Sequence, residues 1–233
     1  MPEESGWVRK YDYSWLERFA LNVIRVGRVP RHIAVIMDGN RRYARQAGDP
    51  VMAGHKAGFE KLAETLQWCR ELGVREVTVY AFSIENFNRT ETEVSDLLNL
   101  ARDKFKVLLG EKEKLSEAGL RVRILGNLSY LPADLREVIT EVETVTAGNS
   151  QSLLNIALSY TAREEITHAV REVAGRLSSG DIEAADVNEE TIERFLYTGQ
   201  SETPELLIRT SGETRLSDFM LWQASRRLVG VGV

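Results

Sequence analysis

The chain has 233 residues, 43% of them hydrophobic and 28% charged, a length suited to one domain and a composition suited to a globular one. Its formal net charge of −5 excludes a general nucleic-acid binder, so any anion site must be built locally from clustered cations. A lone cysteine, Cys69, excludes an intrachain disulfide, and three scattered histidines offer no metal-ligand spacing.

No signal-peptide pattern opens the chain, and no apolar run approaches the roughly 18 residues of a membrane span. Residues 11–26 place Trp15, Leu16, Phe19, Ala20, Val23 and Ile24 at three- and four-residue steps, which predicts an amphipathic helix. Its stripe fits an interfacial membrane helix or a helix packed on its own domain, and the pattern alone favours the second.

The next stretch carries the most chemistry. An apolar run predicts a strand over 32–37, and it ends abruptly in Asp38-Gly39-Asn40 with Arg41 and Arg42 where a helix begins. A glycine turn after a strand leaves the first N–H groups of the helix free to hold an anion. A carboxylate beside that cradle makes sense when a divalent cation bridges the two, so the expected ligand is a diphosphate or polyphosphate. Taken alone, Asp-Gly-Asn also reads as an ordinary turn with a helix cap.

Further strands are predicted at 76–82, 120–125, 153–159 and 205–210, separated by helical patterns near 54–72, 91–118, 131–147, 162–178 and 188–197. Such alternation predicts an α/β fold with a mostly parallel sheet covered by helices and ligands beyond the carboxyl ends of its strands. Asp38, Ser83 and Arg209 all fall at such ends. The polar stretch 178–190 reads as a surface loop. Apolar positions of the 54–72 and 91–118 helices could line a channel, although most such stripes are core. The last strand opens a second charged cluster, Arg209-Thr210-Ser211-Gly212-Glu213-Thr214-Arg215-Leu216-Ser217. Two anion sites, each with a metal-competent carboxylate, point to an enzyme with two phosphorylated substrates. A nucleotide-binding P-loop is absent.

Several separated motifs resemble the cis-prenyltransferase family, especially its eukaryotic dehydrodolichyl diphosphate synthase branch. They are His32 to Arg45, Gly54-His55-Lys56-Ala57-Gly58, Tyr80 to Arg89, Leu125-Gly126, Asn155 to Tyr160, and Leu207 to Gln223. The all-helical trans-type synthases need an Asp-Asp-x-x-Asp motif that this sequence lacks.

The resemblance implies one central, mostly parallel sheet ringed by helices around an apolar tunnel. It implies condensation of isopentenyl diphosphate in cis onto an allylic primer, farnesyl diphosphate, to make long polyprenyl diphosphate for dolichol synthesis and glycosylation. Asp38 matches the family's essential Asp, working with Mg²⁺, and Glu213 matches a second Mg²⁺ ligand. Gly39, Asn40, Arg41 and Arg42 match the allylic diphosphate loop, joined by Arg89, and His55 matches a histidine near the same phosphates. Ser83 and Asn86 match residues that position substrate and assist proton loss. Arg209, Arg215 and Ser217 match the isopentenyl diphosphate site.

The family context also implies a non-catalytic partner of Nogo-B receptor type supplying a C-terminal Arg-x-Gly motif. It implies a peripheral place on the cytosolic face of the endoplasmic reticulum membrane. Two departures stand out. Val51 occupies a position where bacterial members carry arginine. After Gln223 the family continues through an edge strand, a Trp-Pro motif and a terminal helix, whereas here the chain runs Ala224 to Val233. The expected organisation is therefore an N-terminal helical segment, 1–30, and a catalytic domain, 31–233, that is C-terminally incomplete. A truncated inactive isoform or a non-catalytic accessory subunit is the alternative reading.

Overall fold

The computed structural model describes residues 6–8, 13–227 and 230–232. Six parallel strands form one sheet: β1 (His32–Ile36), β2 (Glu76–Ser83), β3 (Leu120–Leu125), β4 (Ser152–Tyr160), β5 (Leu206–Arg209) and β6 (Gly230–Gly232). Their spatial order is β3-β4-β2-β1-β5-β6. All five residues of β1 are buried, as a strand covered on both faces by crossover helices requires.

The chain leaves β1 toward β2 on one side and returns later to β5 on the other. That reversal opens a crevice at the carboxyl ends of the three strands. Register makes the crevice specific, because Ile36 lies beside both Tyr80 of β2 and Arg209 of β5. Residues just past these positions therefore meet. At the opposite ends of the strands a buried polar layer joins His32 Nε2 to Thr78 Oγ1 at 2.7 Å and Asn155 Nδ2 to Glu76 Oε1 at 2.5 Å. It ties neighbouring strands together away from the crevice.

The helices are α1 (Trp15–Val26), α2 (Asn40–Ala47), α3 (Val51–Leu72), α4 (Glu91–Gly110), α5 (Lys112–Glu117), α6 (Ala133–Thr146), α7 (Ala162–Ser179), α8 (Glu189–Phe195) and α9 (Leu221–Arg227). α2 packs on α3 through Gly54, where a Cβ would overlap the Asn40 carbonyl.

Three expectations change. The single helix expected over 91–118 breaks at Glu111, whose carboxylate accepts the Trp7 N–H at 2.7 Å and so docks the N-terminal segment there. The amphipathic stripe does not pack on its own domain. Helix α1, started by a Ser14–Glu17 capping box, buries no residue, and Trp15 is 77% exposed. Residues 11 and 12 of that expected helix lie outside the described residues. The edge strand expected to be missing after Gln223 is present, since β6 pairs in parallel with β5. The surface loop expected at 178–190 is present over 180–188, with a short 3-10 turn at Ala184–Asp186, while residues 178–179 end α7 and 189–190 begin α8.

Candidate active site

Asp38 follows β1 by two residues, and Gly39 turns the chain with φ at +91° before α2 starts. A Cβ at Gly39 would overlap Ser211 Oγ, so the turn needs glycine for both its dihedral and its space. No side chain caps α2, so its leading N–H groups face the crevice without an acceptor from a cap. The loop after β5 is zipped onto this turn. Asp38 N–H donates to Thr210 Oγ1 at 2.9 Å, while the Thr210 and Ser211 hydroxyls donate to the Asp38 carbonyl at 2.7 and 2.9 Å.

An ion pair joins the two clusters that the sequence separates. Arg209 Nη2 donates to Asp38 Oδ2 at 2.7 Å, and Asp38 Oδ1 accepts the Gly39 N–H at 2.6 Å. Arg209 is only 4% exposed. Its Nη1 donates to Ser217 Oγ at 2.7 Å and to the Arg215 carbonyl, while its buried Nε has no hydrogen-bond partner. Burial alone would push the Asp38 carboxyl up. The bonds from Arg209 and the Gly39 N–H, with the charges of Arg209 and Arg42, outweigh it and hold the group below its usual range. Asp38 is therefore ionised at neutral pH.

Around this pair the remaining cations share acids. Arg42 donates to the Ser211 carbonyl at 3.1 Å and lies 3.6 Å from Glu213, which also pairs with Arg215. Arg89 binds Glu93 at 2.7 Å, and Arg41 approaches the same carboxylate at 3.7 Å. Ser83 and Asn86 close a capping box on the 3-10 turn Ile84–Asn88. There Ser83 N–H donates to Asn86 Oδ1 at 3.0 Å and Glu85 N–H to Ser83 Oγ at 3.1 Å. This spends the Asn86 carbonyl on the turn and leaves its NH₂ to meet a ligand.

A cavity of about 670 Å³ opens at this cluster and runs between α3 and α4. Asp38, Asn40, Arg41, His55, Ser83, Asn86, Arg89, Arg209, Arg215 and Ser217 line it, whereas Gly39, Arg42 and Glu213 do not. Its apolar walls include Phe59 and Leu62 from α3 and Leu97, Ala101 and Phe105 from α4. The channel that periodicity left open is therefore present, although other members of the same stripes, such as Leu98 and Leu108, belong to the core. Tyr80, Glu85, Lys104, Arg163 and Asp218 also line it, although Tyr80, Glu85 and Asp218 stood inside the family motifs without a role and Lys104 and Arg163 stood outside them. Position was the available signal for Tyr80, Glu85 and Arg163, all near strand ends.

His55 Nε2 is buried without a hydrogen-bond partner. Burial lowers its pKa, the Arg89 and Arg41 charges lower it further, and Glu93 only partly opposes them. The imidazole is expected to titrate below 6.5 in the free protein, and inorganic diphosphate is expected to raise the midpoint by screening the arginines. A histidine NMR titration with and without diphosphate checks this, and an unmoved midpoint would separate His55 from the anion. Because the unfolded chain binds this proton more readily, His55 costs stability as pH falls below 6.5.

The model of a prenyltransferase family described as putative undecaprenyl diphosphate synthase matches residues 36–231, a span that takes in the crevice and both arginine clusters. The chain belongs to this family. Among related undecaprenyl diphosphate synthase family members, a dehydrodolichyl diphosphate synthase complex subunit of Homo sapiens is 50% identical over 220 residues, covering 94% of this chain and 66% of that protein. This chain thus spans just under two thirds of that relative's length. A tritrans,polycis-undecaprenyl-diphosphate synthase (geranylgeranyl-diphosphate specific) of Thermococcus kodakarensis is 45% identical over 211 residues, covering 91% of this chain and 80% of that protein. Lavandulyl diphosphate synthase from Lavandula x intermedia, crystallised with dimethylallyl diphosphate, superposes with a TM-score of 0.78 at 33% identity. That match covers 83% of each chain. The central parallel sheet with surrounding helices is the fold of this family.

Proposed function

We propose that this chain is a polyprenyl-elongating cis-prenyltransferase, condensing isopentenyl diphosphate in cis onto farnesyl diphosphate to build dehydrodolichyl diphosphate. The observation that carries the reading is the Asp38–Arg209 pair, which joins two arginine-bearing loops at the head of an apolar cavity. Two diphosphates need two cationic loops, and a lengthening hydrocarbon needs a dry channel. The dimethylallyl diphosphate bound by the lavandulyl relative supports an allylic diphosphate as one ligand.

Asn40, Arg41, Arg42 and Arg89, with the Gly39 turn and the N-terminus of α2, would hold the allylic diphosphate. As its C–O bond ionises, charge develops on the leaving diphosphate, and fixed donors aimed there stabilise departure. Arg209, Arg215 and Ser217 would hold isopentenyl diphosphate, with bidentate contacts suited to phosphate. Its terminal alkene carbon attacks the allylic cation, forming a C–C bond and leaving a tertiary cation at C3, and a proton is then lost from C2 to give the new double bond. Ser83 and Asn86 position that unit. A hydroxyl and an amide are weak bases, so the proton ends on a diphosphate oxygen.

Among the described residues no three histidine, cysteine or acidic side chains gather into a self-sufficient metal cage. An ionised Asp38, with Glu213 on the adjoining loop, suits Mg²⁺, which takes one or two carboxylates and completes its shell with phosphate oxygens and water. When bound, the ion neutralises diphosphate charge.

Incorporation of labelled isopentenyl diphosphate with farnesyl diphosphate and Mg²⁺ tests the reading. The human relative is named a complex subunit, which supports running the assay alone and with a non-catalytic Nogo-B receptor-type partner. Long cis product is expected, and its absence from folded protein in both settings would favour a non-catalytic role.

The outward stripe of α1 supports attachment to a membrane surface, which the family resemblance assigns to the cytosolic face of the endoplasmic reticulum; no helix among the described residues is long and apolar enough to cross a bilayer. Each large apolar side chain buried in lipid contributes about 1.5–3 kcal/mol, so the double change Phe19→Asp and Ile24→Asp should weaken partition into anionic vesicles roughly a hundredfold. Sedimentation with vesicles measures it, and unchanged partition would detach α1 from the membrane.

A further inference from the structure

Arg163 stands in the first turn of α7, just beyond the carboxyl end of β4, and its guanidinium reaches two separate segments of the cavity mouth. Nε donates to Asp218 Oδ2 at 2.7 Å, and Nη2 donates to Glu85 Oε1 at 3.1 Å. The start of α7 grips Asp218 through its backbone as well. Arg163 N–H donates to Asp218 Oδ1 at 3.2 Å, and Ala162 N–H donates to the Asp218 carbonyl at 2.7 Å.

Each gripped segment matters to the site. Glu85 belongs to the 3-10 turn whose capping box fixes Ser83 and Asn86. Asp218 follows Ser217, the residue that meets Arg209. Ser217, Asp218 and Met220 have φ of 49°, 60° and 49°, a left-handed region that residues with side chains rarely occupy. Such a backbone persists only where its surroundings over-determine it. The Asp218 carboxylate is 14% exposed, so its bonds to α7 are sheltered, while Arg163 itself is 71% exposed and free to release.

We propose that Arg163 is a positioning residue, a latch tying the turn that carries Ser83 and Asn86 to the loop that carries Arg215 and Ser217. The latch couples the geometry of the condensing turn to that of the isopentenyl diphosphate loop; this role rests on the elongation reading above. An arginine is required because one planar fork must span two carboxylates, which a lysine point charge does not do.

Hydrogen exchange on the complete chain tests the latch without substrate. Arg89 N–H, bonded to the Asn86 carbonyl, reports the turn, and Phe219 N–H, bonded to the Leu216 carbonyl, reports the loop. Arg163→Gln should speed exchange in both segments about three- to fivefold, the scale of an exposed ion pair, with Tm nearly unchanged. Glu85→Gln should reproduce the effect in the turn, Arg163→Lys should fail to restore it, and the double variant should be no worse than Arg163→Gln. In turnover assays Arg163→Gln should raise the KM for isopentenyl diphosphate by a similar factor and the allylic KM by clearly less. Faster exchange confined to one segment, effects that add in the double variant, or equal rises in both KM values would overturn the latch. If the parent protein condenses nothing, the elongation reading fails, while the exchange data still decide the latch.

Discussion

Asp38→Asn is expected to lower turnover of isopentenyl condensation by roughly a hundred- to a thousandfold, the scale of losing one charge-stabilising group from an active site. The asparagine oxygen can still accept the Gly39 N–H and keep the turn, whereas its NH₂ then faces Arg209 Nη2 and cannot accept from it, so the tie to the second loop weakens. What disappears is the negative charge that fits the site for a divalent cation. Farnesyl diphosphate should therefore bind with little change by calorimetry, because Asn40, Arg41 and the α2 N-terminus are untouched. Turnover within about tenfold of the parent would remove Asp38 from the reaction. Stability carries an independent signature. The folded pKa of Asp38 is depressed below its usual 3.8, so its contribution is present at neutral pH and lost as pH falls through that folded value. The parent and the Asn variant should differ in Tm at pH 7 and converge in acid.

Arg209→Gln is expected to act on structure and substrate together. Removing one member of a buried ion pair costs about 3–5 kcal/mol, and the partial water access of Asp38 places this case near the lower end. For a chain of this length that is a fall in Tm of roughly 10 °C. The change also frees Ser217 and the Arg215 carbonyl from Nη1, loosening the loop that faces the second diphosphate. The KM for isopentenyl diphosphate should rise about a hundredfold, as expected when a charge-assisted contact and its supporting loop are lost together. A variant that melts with the parent and keeps its KM would show that Arg209 neither braces the crevice nor touches substrate. Arg215→Gln offers the contrast. Its guanidinium is 65% exposed and pairs with half-buried Glu213, so it should raise the same KM with little loss of Tm.

Much of this protein was legible in its sequence because strands and helices announce themselves by local periodicity. Val35 and Ile36 sit in a continuous apolar run that only a doubly covered strand accommodates, and all five strands expected from such runs are present. Asp38, Gly39 and Arg209 stood out because a carboxylate, a glycine turn and arginines at strand ends have few purely structural uses. The break at Glu111 was passed over although Gly110 just before it is a helix-ending residue, and what no local pattern carries is that the Glu111 carboxylate accepts the N–H of Trp7, 104 residues away. The outward face of α1 was equally hidden. An apolar stripe states that something covers it, and leaves open whether that is protein or lipid.

The sequence by itself determined the element types, the parallel sheet and the residues able to carry diphosphate chemistry, because each depends on neighbours within one or two turns of chain. Only the tertiary structure decided that Asp38 and Arg209 form one ion pair across 171 residues and that Arg163 bridges Glu85 and Asp218. Those pairings depend on strand order and register, and neither is written in local periodicity. The reversal at β1 places β2 and β5 on either side of it, and register sets Ile36 level with both Tyr80 and Arg209, which converts scattered motifs into a site.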